Sequence, residues 1–269
     1  MRILGMAAGL ALFFLGGCAH QRVLEKPLKP LVWADFWKDQ TVRRGTLGEF
    51  SGKLKLGYEG KGQSISGRGR IVGKEAKNFR LELRDPIGRL HYVLVDKAGE
   101  VSVHYPRERF GYKDATGGRA YFQKTLGRRV AFAELVSLFL GVLPSQWEKA
   151  RASGWEWDRD HGAFRGSLEL GGENLTVWVD SGHAGLREFD WLRDGHTVHA
   201  TLADFSDCCD TQGQRRAGFQ LAYEVKIDLG EGASTSASWD SLARPSSPLP
   251  AAAFELPFPA GDKVSVLGN

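Results

Sequence analysis

Alternation of apolar and polar residues recurs along most of this chain and constrains its fold more than any other feature. In the longest run, one face collects Ala217, Phe219, Leu221, Tyr223, Val225, Ile227 and Leu229. A period of two residues is typical of a β-strand that packs on one side and meets water on the other. Shorter runs at residues 50–58, 64–73, 79–95, 101–105, 155–157, 164–170, 175–179, 189–191, 198–202 and 233–239 bring the total to about a dozen predicted strands.

A hairpin with an apolar tip is predicted at residues 79–95. Two alternating runs flank Asp85-Pro86-Ile87-Gly88, whose aspartate, proline and glycine have the φ preferences of a tight turn. Ile87 therefore places an apolar side chain where solubility alone favours a polar one. Single exposed apolar residues are common on protein surfaces, so an incidental isoleucine and a functional one are both open.

Residues 1–17 have the composition of a secretory signal peptide. One early positive charge precedes an apolar run that is too short to hold a stable transmembrane helix. The following Leu15-Gly16-Gly17-Cys18 resembles the lipobox of bacterial lipoproteins, in which the signal is cut before the cysteine and the cysteine is acylated. This resemblance implies a chain anchored to a membrane by lipid on Cys18. Ala19, where many lipoproteins retained in the inner membrane carry aspartate, implies the outer membrane, facing the periplasm.

The remaining chain is long enough for one large β domain. We expect an acylated tether and a short helix within residues 18–44, with the helix near residues 31–40. The domain itself is predicted over residues 45–260, followed by a C-terminal tail at residues 261–269. Within it, the proline-rich segment 244–259 is expected to lie extended along an edge.

Residues 117–144 interrupt the alternation and predict helices. One short helix is expected before Gly127, and a second from Ala131 to Leu140 is apolar around almost its whole circumference. A helix of that kind must be buried or must contact apolar groups on more than one side. We therefore predict a mainly β fold with a few helices: a single curved antiparallel sheet, open as a half-barrel, under a helical lid.

The inward faces of these elements predict an apolar cavity, although a closed core is the alternative. Its expected lining is Phe50, Leu54, Leu56, Ile65, Ile71, Phe79, Leu81, Leu83, Phe132, Leu135, Leu138, Phe139, Phe219, Leu221, Tyr223 and Val225. We favour a cavity because the all-apolar helix has more surface than one sheet contact covers. An acyl chain needs only such a dry concave surface, and its affinity grows by roughly 0.8 kcal/mol per buried methylene.

Charge and motifs argue against other classes of function. The net charge of +4 comes from interleaved acidic and basic residues without a basic stripe, so no nucleic-acid partner is expected. Catalytic and nucleotide-binding motifs are missing from the sequence, and its histidines fall at positions where solvation is expected. We predict neither an enzyme nor a cofactor.

Two adjacent cysteines, Cys208 and Cys209, are expected in a loop between strands. They are close to His196 and His199, but no spacing here matches a strong metal site, and no metal is predicted. A strained bond between the neighbours and an intermolecular disulfide both stay open.

Residues 79–144 contain a set of motif positions: Arg84, Pro86, Ile87, Gly88, Leu126, Gly127, Glu134, Leu135, Leu140, Gly141 and Pro144. These motifs resemble those of the outer-membrane lipoprotein receptor family LolB and its relatives of the LolA-like fold. The resemblance implies that the cavity holds acyl chains of lipoproteins arriving from a periplasmic carrier of the LolA type. It also implies that the loop of Pro86, Ile87 and Gly88 inserts into the membrane during delivery.

The chain also departs from the family pattern. It is longer than LolB usually is, with the extra segment around Cys208 and the proline-rich tail. A LolB-like paralogue is therefore the alternative: a structural or sensory envelope lipoprotein that uses the same fold to bind a lipid or a protein partner.

Overall fold

The computed structural model describes the chain from Lys29 to Gly268 with short gaps. The described backbone covers residues 29–60, 62–74, 77–85, 87–180, 185–209 and 215–268, and the described side chains exclude Thr46, Gln63 and residues 206–220. The predicted signal peptide, Cys18 and Pro86 lie outside the described residues.

Three helices and fifteen strands make up the described part of the chain. The helices are α1 (Trp33–Thr46), α2 (Arg119–Leu126) and α3 (Phe132–Phe139), with short 3-10 helices at Ser145–Lys149 and Ala251–Phe254. The strands are β1 (Glu49–Gly60), β2 (Gln63–Lys74), β3 (Asn78–Arg84), β4 (Leu90–Lys97), β5 (Glu100–Tyr105), β6 (Phe110–Asp114), β7 (Arg151–Ala152), β8 (Glu156–Asp158), β9 (Ala163–Leu170), β10 (Glu173–Val179), β11 (Leu186–Arg193), β12 (His196–Cys209), β13 (Arg215–Gly230), β14 (Ala233–Ala243) and β15 (Lys263–Leu267).

All of these strands join one large, curved and unclosed sheet, which confirms the predicted fold class. Its order is β15, β6, β5, β4, β3, β2, β1, β14, β13, β12, β11, β10, β9 and β7, and β8 also pairs with β9. One pairing departs from the prediction. β15 runs parallel to β6, whereas the other strand pairs are antiparallel. Alternation within a segment predicts a strand but not its direction beside a distant neighbour.

Glycines on β2 make room for large side chains from the strands beside it. Gly69 lies opposite Leu54 on β1, and a Cβ there would meet the leucine Cδ2 at 3.2 Å. At Gly73 a Cβ would lie 2.6 Å from Phe50 Cζ and 2.9 Å from Phe79 Cδ1. These glycines let neighbouring strands pack their side chains across β2, which suits a curved sheet.

The helix α3 lies over the concave face of the sheet. Its apolar residues are buried all round, including Leu135, Val136 and Leu138, as an all-apolar circumference predicts. Trp239 on β14 donates a hydrogen bond from Nε1 to the Phe139 carbonyl at 3.0 Å. The helix is thus fastened to the middle of the sheet.

The N-terminal helix is longer than the sequence predicted. It begins at Trp33 and ends at Thr46, and polar contacts hold its last turns, since Arg43 pairs with Asp39 and Arg44 donates from Nη1 to the Leu143 carbonyl at 3.1 Å. Phe36 is fully buried, and Gln40 accepts a hydrogen bond at Oε1 from the Leu143 amide at 2.9 Å. α1 therefore supports the segment that follows α3.

The proline-rich segment covers the convex face of the sheet, where an edge position was expected. Phe254 packs against Val93 and Val95 on β4, so both faces of that strand are buried. The chain then continues to β15 at the sheet edge. The segment leading to β15 also buries His104, whose Nε2 lies 2.7 Å from Asp262 Oδ2. The expectation that this histidine is solvated is therefore wrong.

Cys208 and Cys209 lie in the last two positions of β12, where a loop was expected. Cys209 pairs with Arg215 on β13. Both strands therefore extend beyond the residues in which apolar and polar side chains alternate. The cysteine side chains fall outside the described residues.

Candidate functional site

A hollow of about 410 Å³ lies between the concave face of β1–β5 and the helices α2 and α3. We call it the main hollow. Its lining is Leu56, Gly57, Tyr58, Ile65, Leu81, Leu83, His91, Tyr92, Leu94, Tyr105, Tyr121, Phe122, Thr125, Leu126, Phe132, Leu135, Phe139 and Thr235. Most of these groups are aliphatic or aromatic, so the wall is largely apolar and suits an apolar ligand.

The structure brings seven of the predicted cavity residues to this wall. They are Leu56, Ile65, Leu81, Leu83, Phe132, Leu135 and Phe139. Ile65, at 43 % exposure, lies at the open part of the hollow.

The other predicted cavity residues lie elsewhere. Those packed into the core are Phe50, Leu54, Ile71, Phe79, Leu221 and Val225, with Tyr223 half-buried beside them. Leu138 points into a second hollow described below, and the side chain of Phe219 is outside the described residues. Phenylalanines from neighbouring strands meet over Gly73 and fill that end of the concave face, so closed packing prevails there.

Tyrosines at one side of the main hollow were missed by sequence reasoning. The hydroxyls of Tyr105 and Tyr121 are 2.5 Å apart, and the rings of Tyr92 and Tyr105 are in contact. Burial raises the pKa of the Tyr92 and Tyr121 hydroxyls above the usual range, so both stay neutral at physiological pH. The place of Tyr92 in the alternation of β4, two residues before Leu94, is the signal that could have found it.

The described residues that line the main hollow include no aspartate, glutamate, lysine or arginine. Its polar groups are neutral hydroxyls and one imidazole, His91. Such a surface offers nothing to compensate a buried charge, and it favours an uncharged apolar ligand. In the described part of the chain, no group of three or more His, Cys, Asp or Glu side chains is placed to hold a metal ion.

A second hollow of about 240 Å³ lies on the other side of α3, and Leu135 lines both. Three arginines line its wall, and two of them, Arg128 and Arg193, are engaged in local contacts. Arg128 donates from Nε to the Leu229 carbonyl at 2.6 Å, and Arg193 lies 3.0 Å from both Glu134 and Glu173. These contacts make the second hollow a junction between lid and sheet.

The lid is tied to the sheet through Glu134. Its Oε1 accepts from Arg119 on α2 at 2.8 Å and its Oε2 from Arg193 on β11 at 3.0 Å. Oε2 also accepts from the Ala131 amide at 2.8 Å, which satisfies a free N–H group at the start of α3. One buried carboxylate therefore joins α2, α3 and the far half of the sheet.

The tip of the β3–β4 hairpin presents Ile87 at 70 % exposure, in agreement with the apolar tip predicted from the sequence. Asp85 shapes the turn, because its Oδ1 accepts from the amides of Ile87 at 3.1 Å and Arg89 at 2.9 Å. Partial desolvation opposes ionisation of this carboxyl, but hydrogen bonds from Arg107 and Arg89 outweigh it and lower the pKa to about 2. These hydrogen bonds to Asp85 hold the described backbone of the turn, with Ile87 exposed.

Comparison with known proteins gives matches at the level of structure. The chain matches neither a family model nor a curated protein sequence. A putative outer membrane lipoprotein-sorting protein domain from Vibrio parahaemolyticus superposes with a TM-score of 0.57 at 13 % identity, over 81 % of this chain and 94 % of that one. A LolA superfamily protein from Nitrosomonas europaea gives 0.56 at 11 % identity, over 84 % and 98 % of the two chains. The chain has a LolA-like fold.

A DUF1329 family protein from Desulfovibrio piger shares the architecture, with a TM-score of 0.55, 11 % identity and coverage of 82 % of this chain and 96 % of that one. At such identities the likeness concerns the LolA-like fold alone. In this chain, the fold puts α2 and α3 over the concave face and so creates the main hollow. None of the described helices has the length and hydropathy needed to cross a bilayer.

Proposed function

We propose that this chain is an outer-membrane lipoprotein that binds acyl chains of other lipoproteins in the main hollow and helps to insert them into the outer membrane. The observation that carries the proposal is the uncharged, largely apolar wall between the lid helices and the sheet. No turnover of a substrate is involved.

The size and chemistry of the main hollow support an acyl ligand. Its 410 Å³ falls within the range of about 300–1,000 Å³ typical of small-ligand sites. Each methylene that leaves water for this wall contributes roughly 0.8 kcal/mol. Neutral hydroxyls such as those of Tyr105 and Tyr121 can meet an ester or amide near the end of the chain without a charged partner.

Delivery to the membrane is assigned to Ile87 and its turn. An exposed apolar side chain on a rigid hairpin can enter the interfacial region of a bilayer while the body of the domain stays in water. A lipid on Cys18 would keep the domain near that surface. Transfer then follows the relative affinities of carrier, hollow and membrane, and it requires no nucleotide. The expected donor is a periplasmic carrier of the LolA type.

The test compares binding with release. The chain beginning at Ala19 retains every residue that the structure describes, so it is purified and its bound lipids or lipoproteins are identified by mass spectrometry. Ile87→Glu should keep the same cargo but lose most of its release into liposomes. Val266→Glu is the matched control, because Val266 is 60 % exposed and lies on the edge strand β15. It should release cargo like the unaltered chain.

Two outcomes contradict the proposal. One is purification without any acyl ligand combined with failure to bind an added acylated lipoprotein. The other is unchanged release by Ile87→Glu. In cells, depletion of the protein should leave lipoproteins in the periplasm or the inner membrane.

The alternative is a structural or sensory envelope lipoprotein that binds a lipid or protein partner. The edge strand β15 favours it, because Val264 and Val266 are exposed there and one side of the strand has no neighbour among the described strands. Under this alternative, the purified protein would show no displacement of a fluorescent fatty acid from its hollow. Depletion of the protein would leave lipoprotein localisation normal.

A further inference from the structure

Five cations form two rows on the convex face of the sheet, at the strands that lead to the Ile87 turn. In the first row, Lys55 on β1 lies opposite Arg68 on β2, and Arg68 lies opposite Arg84 on β3. In the second row, Lys53 lies opposite Arg70. All five side chains are exposed. We call this surface the basic rows.

Such an arrangement is unfavourable for the fold itself. Directly opposite residues on neighbouring strands have Cβ atoms about 4.5–5.5 Å apart, and like charges at that spacing repel. Glu82 lies 3.7 Å from Arg84 and Asp240 lies 3.9 Å from Lys55, so compensation at both ends is loose. Glu82 also lies opposite Arg70 on β3, but in the part of the chain that the structure describes Lys53, Arg68 and Arg70 form no ion pair within 4.0 Å, and five cations face two nearby carboxylates. The charge of the basic rows is therefore available to a ligand.

The basic rows continue directly into the hairpin tip. Arg84 ends β3, and its Nη1 donates to the Gly88 carbonyl at 3.1 Å, one residue from Ile87. With strands about 4.8 Å apart, the first row spans roughly 10 Å from Arg84 to Lys55. That span is within about one Debye length, 8–10 Å at physiological salt, so the three cations of the row act together on one anionic surface.

We infer that the basic rows bind anionic lipid headgroups and orient the domain so that the Ile87 turn points into the bilayer. This inference rests on the proposed function in one respect, since it takes the Ile87 turn to meet a membrane. An apolar tip beside a cluster of cations is the arrangement of interfacial membrane binding, in which the apolar group enters the acyl boundary and the cations stay at the phosphates. An acidic protein would use the cations but would have no need of the exposed isoleucine.

The experiment measures binding to vesicles by the chain beginning at Ala19, which lacks the predicted lipid anchor. One set of vesicles is phosphatidylcholine alone and the other contains phosphatidylglycerol. Each Lys or Arg near an anionic surface contributes about 1 kcal/mol, so Arg68→Gln with Arg70→Gln should weaken binding to the anionic vesicles by about ten- to thirtyfold. The matched control is Arg151→Gln with Arg159→Gln; Arg151 lies on β7 and Arg159 follows β8, both are exposed, and both strands are far from β2 in the sheet order. It removes the same charge and should change binding less than threefold.

Three results overturn the inference. They are equal binding to neutral and anionic vesicles, an equal loss in the control variant, and binding of polyglutamate without binding of anionic vesicles, which would point to an acidic protein partner. Fatty-acid displacement is measured on the same proteins to separate this inference from the proposed function. The double variant should bind the fatty acid normally. If the unaltered chain binds the fatty acid but does not prefer anionic vesicles, only this inference is overturned. If the unaltered chain does not bind the fatty acid, the proposed function is overturned.

Discussion

Glu134 on the lid helix accepts a hydrogen bond from Arg193 on β11 at 3.0 Å, across an interval of 59 residues. Arg119 completes the cluster from α2. The carboxylate is buried, whereas both arginine side chains are partly exposed, and Arg193 also lines the second hollow. Glu134 therefore holds the lid over the main hollow together with the hydrogen bond from Trp239 to the Phe139 carbonyl.

Removing that carboxylate should destabilise the domain. Breaking a fully buried ion pair costs about 3–5 kcal/mol, and the partial exposure of Arg119 and Arg193 reduces this to about 2–3 kcal/mol for Glu134→Ala. Urea denaturation measures the difference. Glu255→Ala is the control, because the exposed Glu255–Lys97 pair should contribute less than about 1 kcal/mol. Equal losses in the two variants would show that Glu134 does not join lid and sheet.

Asp96 should make the protein less stable as the pH rises. Burial raises the pKa of this carboxyl from 3.8 to about 6, against the opposing hydrogen bond from the Gly99 amide. The unfolded chain therefore loses its proton at lower pH than the folded one. Stability falls between about pH 4 and pH 6, by roughly 2–3 kcal/mol.

Asp96→Asn should remove that part of the pH dependence, and denaturant titrations between pH 4 and pH 7 measure it. The exposed Asp240→Asn serves as the control and should keep the slope of the unaltered chain. A slope that persists in Asp96→Asn would assign the effect to another group.

The hairpin tip should resist acid. The pKa of Asp85 is lowered to about 2 by the hydrogen bonds from Arg107 and Arg89. Its contribution to the turn is thus complete above the ordinary value of 3.8 and is lost as the pH falls toward 2. In Arg107→Gln, NMR titration of the Asp85 carboxyl should show the pKa move back toward 3.8. An unchanged pKa would mean that Arg107 does not hold this group.

Close packing over β2 predicts that replacing glycine by alanine destabilises the protein at Gly73 but not at Gly154. Gly73→Ala places a methyl group 2.6 Å from Phe50 Cζ and should cost about 1–3 kcal/mol. Gly154→Ala meets no atom within 4 Å and should be neutral or slightly stabilising. Thermal unfolding of the two variants measures the contrast. A Gly73→Ala variant as stable as the Gly154→Ala variant would show that Phe50 and Phe79 do not pack tightly over β2.

The elements with strong local patterns could be predicted from the sequence. Alternation identified β1 to β5 and β9 to β14, and the all-apolar helix near residues 131–140 was found as α3. β6 was missed because it has only five residues and a glycine at its second position. The parallel pairing of β15 was missed for a different reason: it depends on where a distant segment returns, and no local pattern encodes that.

The existence of an apolar site could be predicted from the sequence, but only part of its lining could. An apolar hollow under a helix follows from excess apolar surface, but which side chains line it depends on how neighbouring strands fill the space. Phe50 and Phe79 meet over Gly73 and close one end, whereas Leu81 and Leu83, further along the same strand β3, stay at the wall of the hollow. The basic rows also needed the register, because Lys55, Arg68 and Arg84 come together only when three strands are paired.

Direct binding of an acyl chain to the main hollow tests the central claim. The probe is cis-parinaric acid, whose fluorescence rises in apolar surroundings, added to the chain beginning at Ala19. Thr125→Phe places a ring in the hollow, and Thr201→Phe makes the same change at an exposed position on β12. We predict saturable binding that Thr125→Phe weakens at least tenfold, since the ring displaces several methylenes at roughly 0.8 kcal/mol each. Thr201→Phe should bind like the unaltered chain. Absence of saturable binding, or equal affinity in a folded Thr125→Phe variant, would contradict the account.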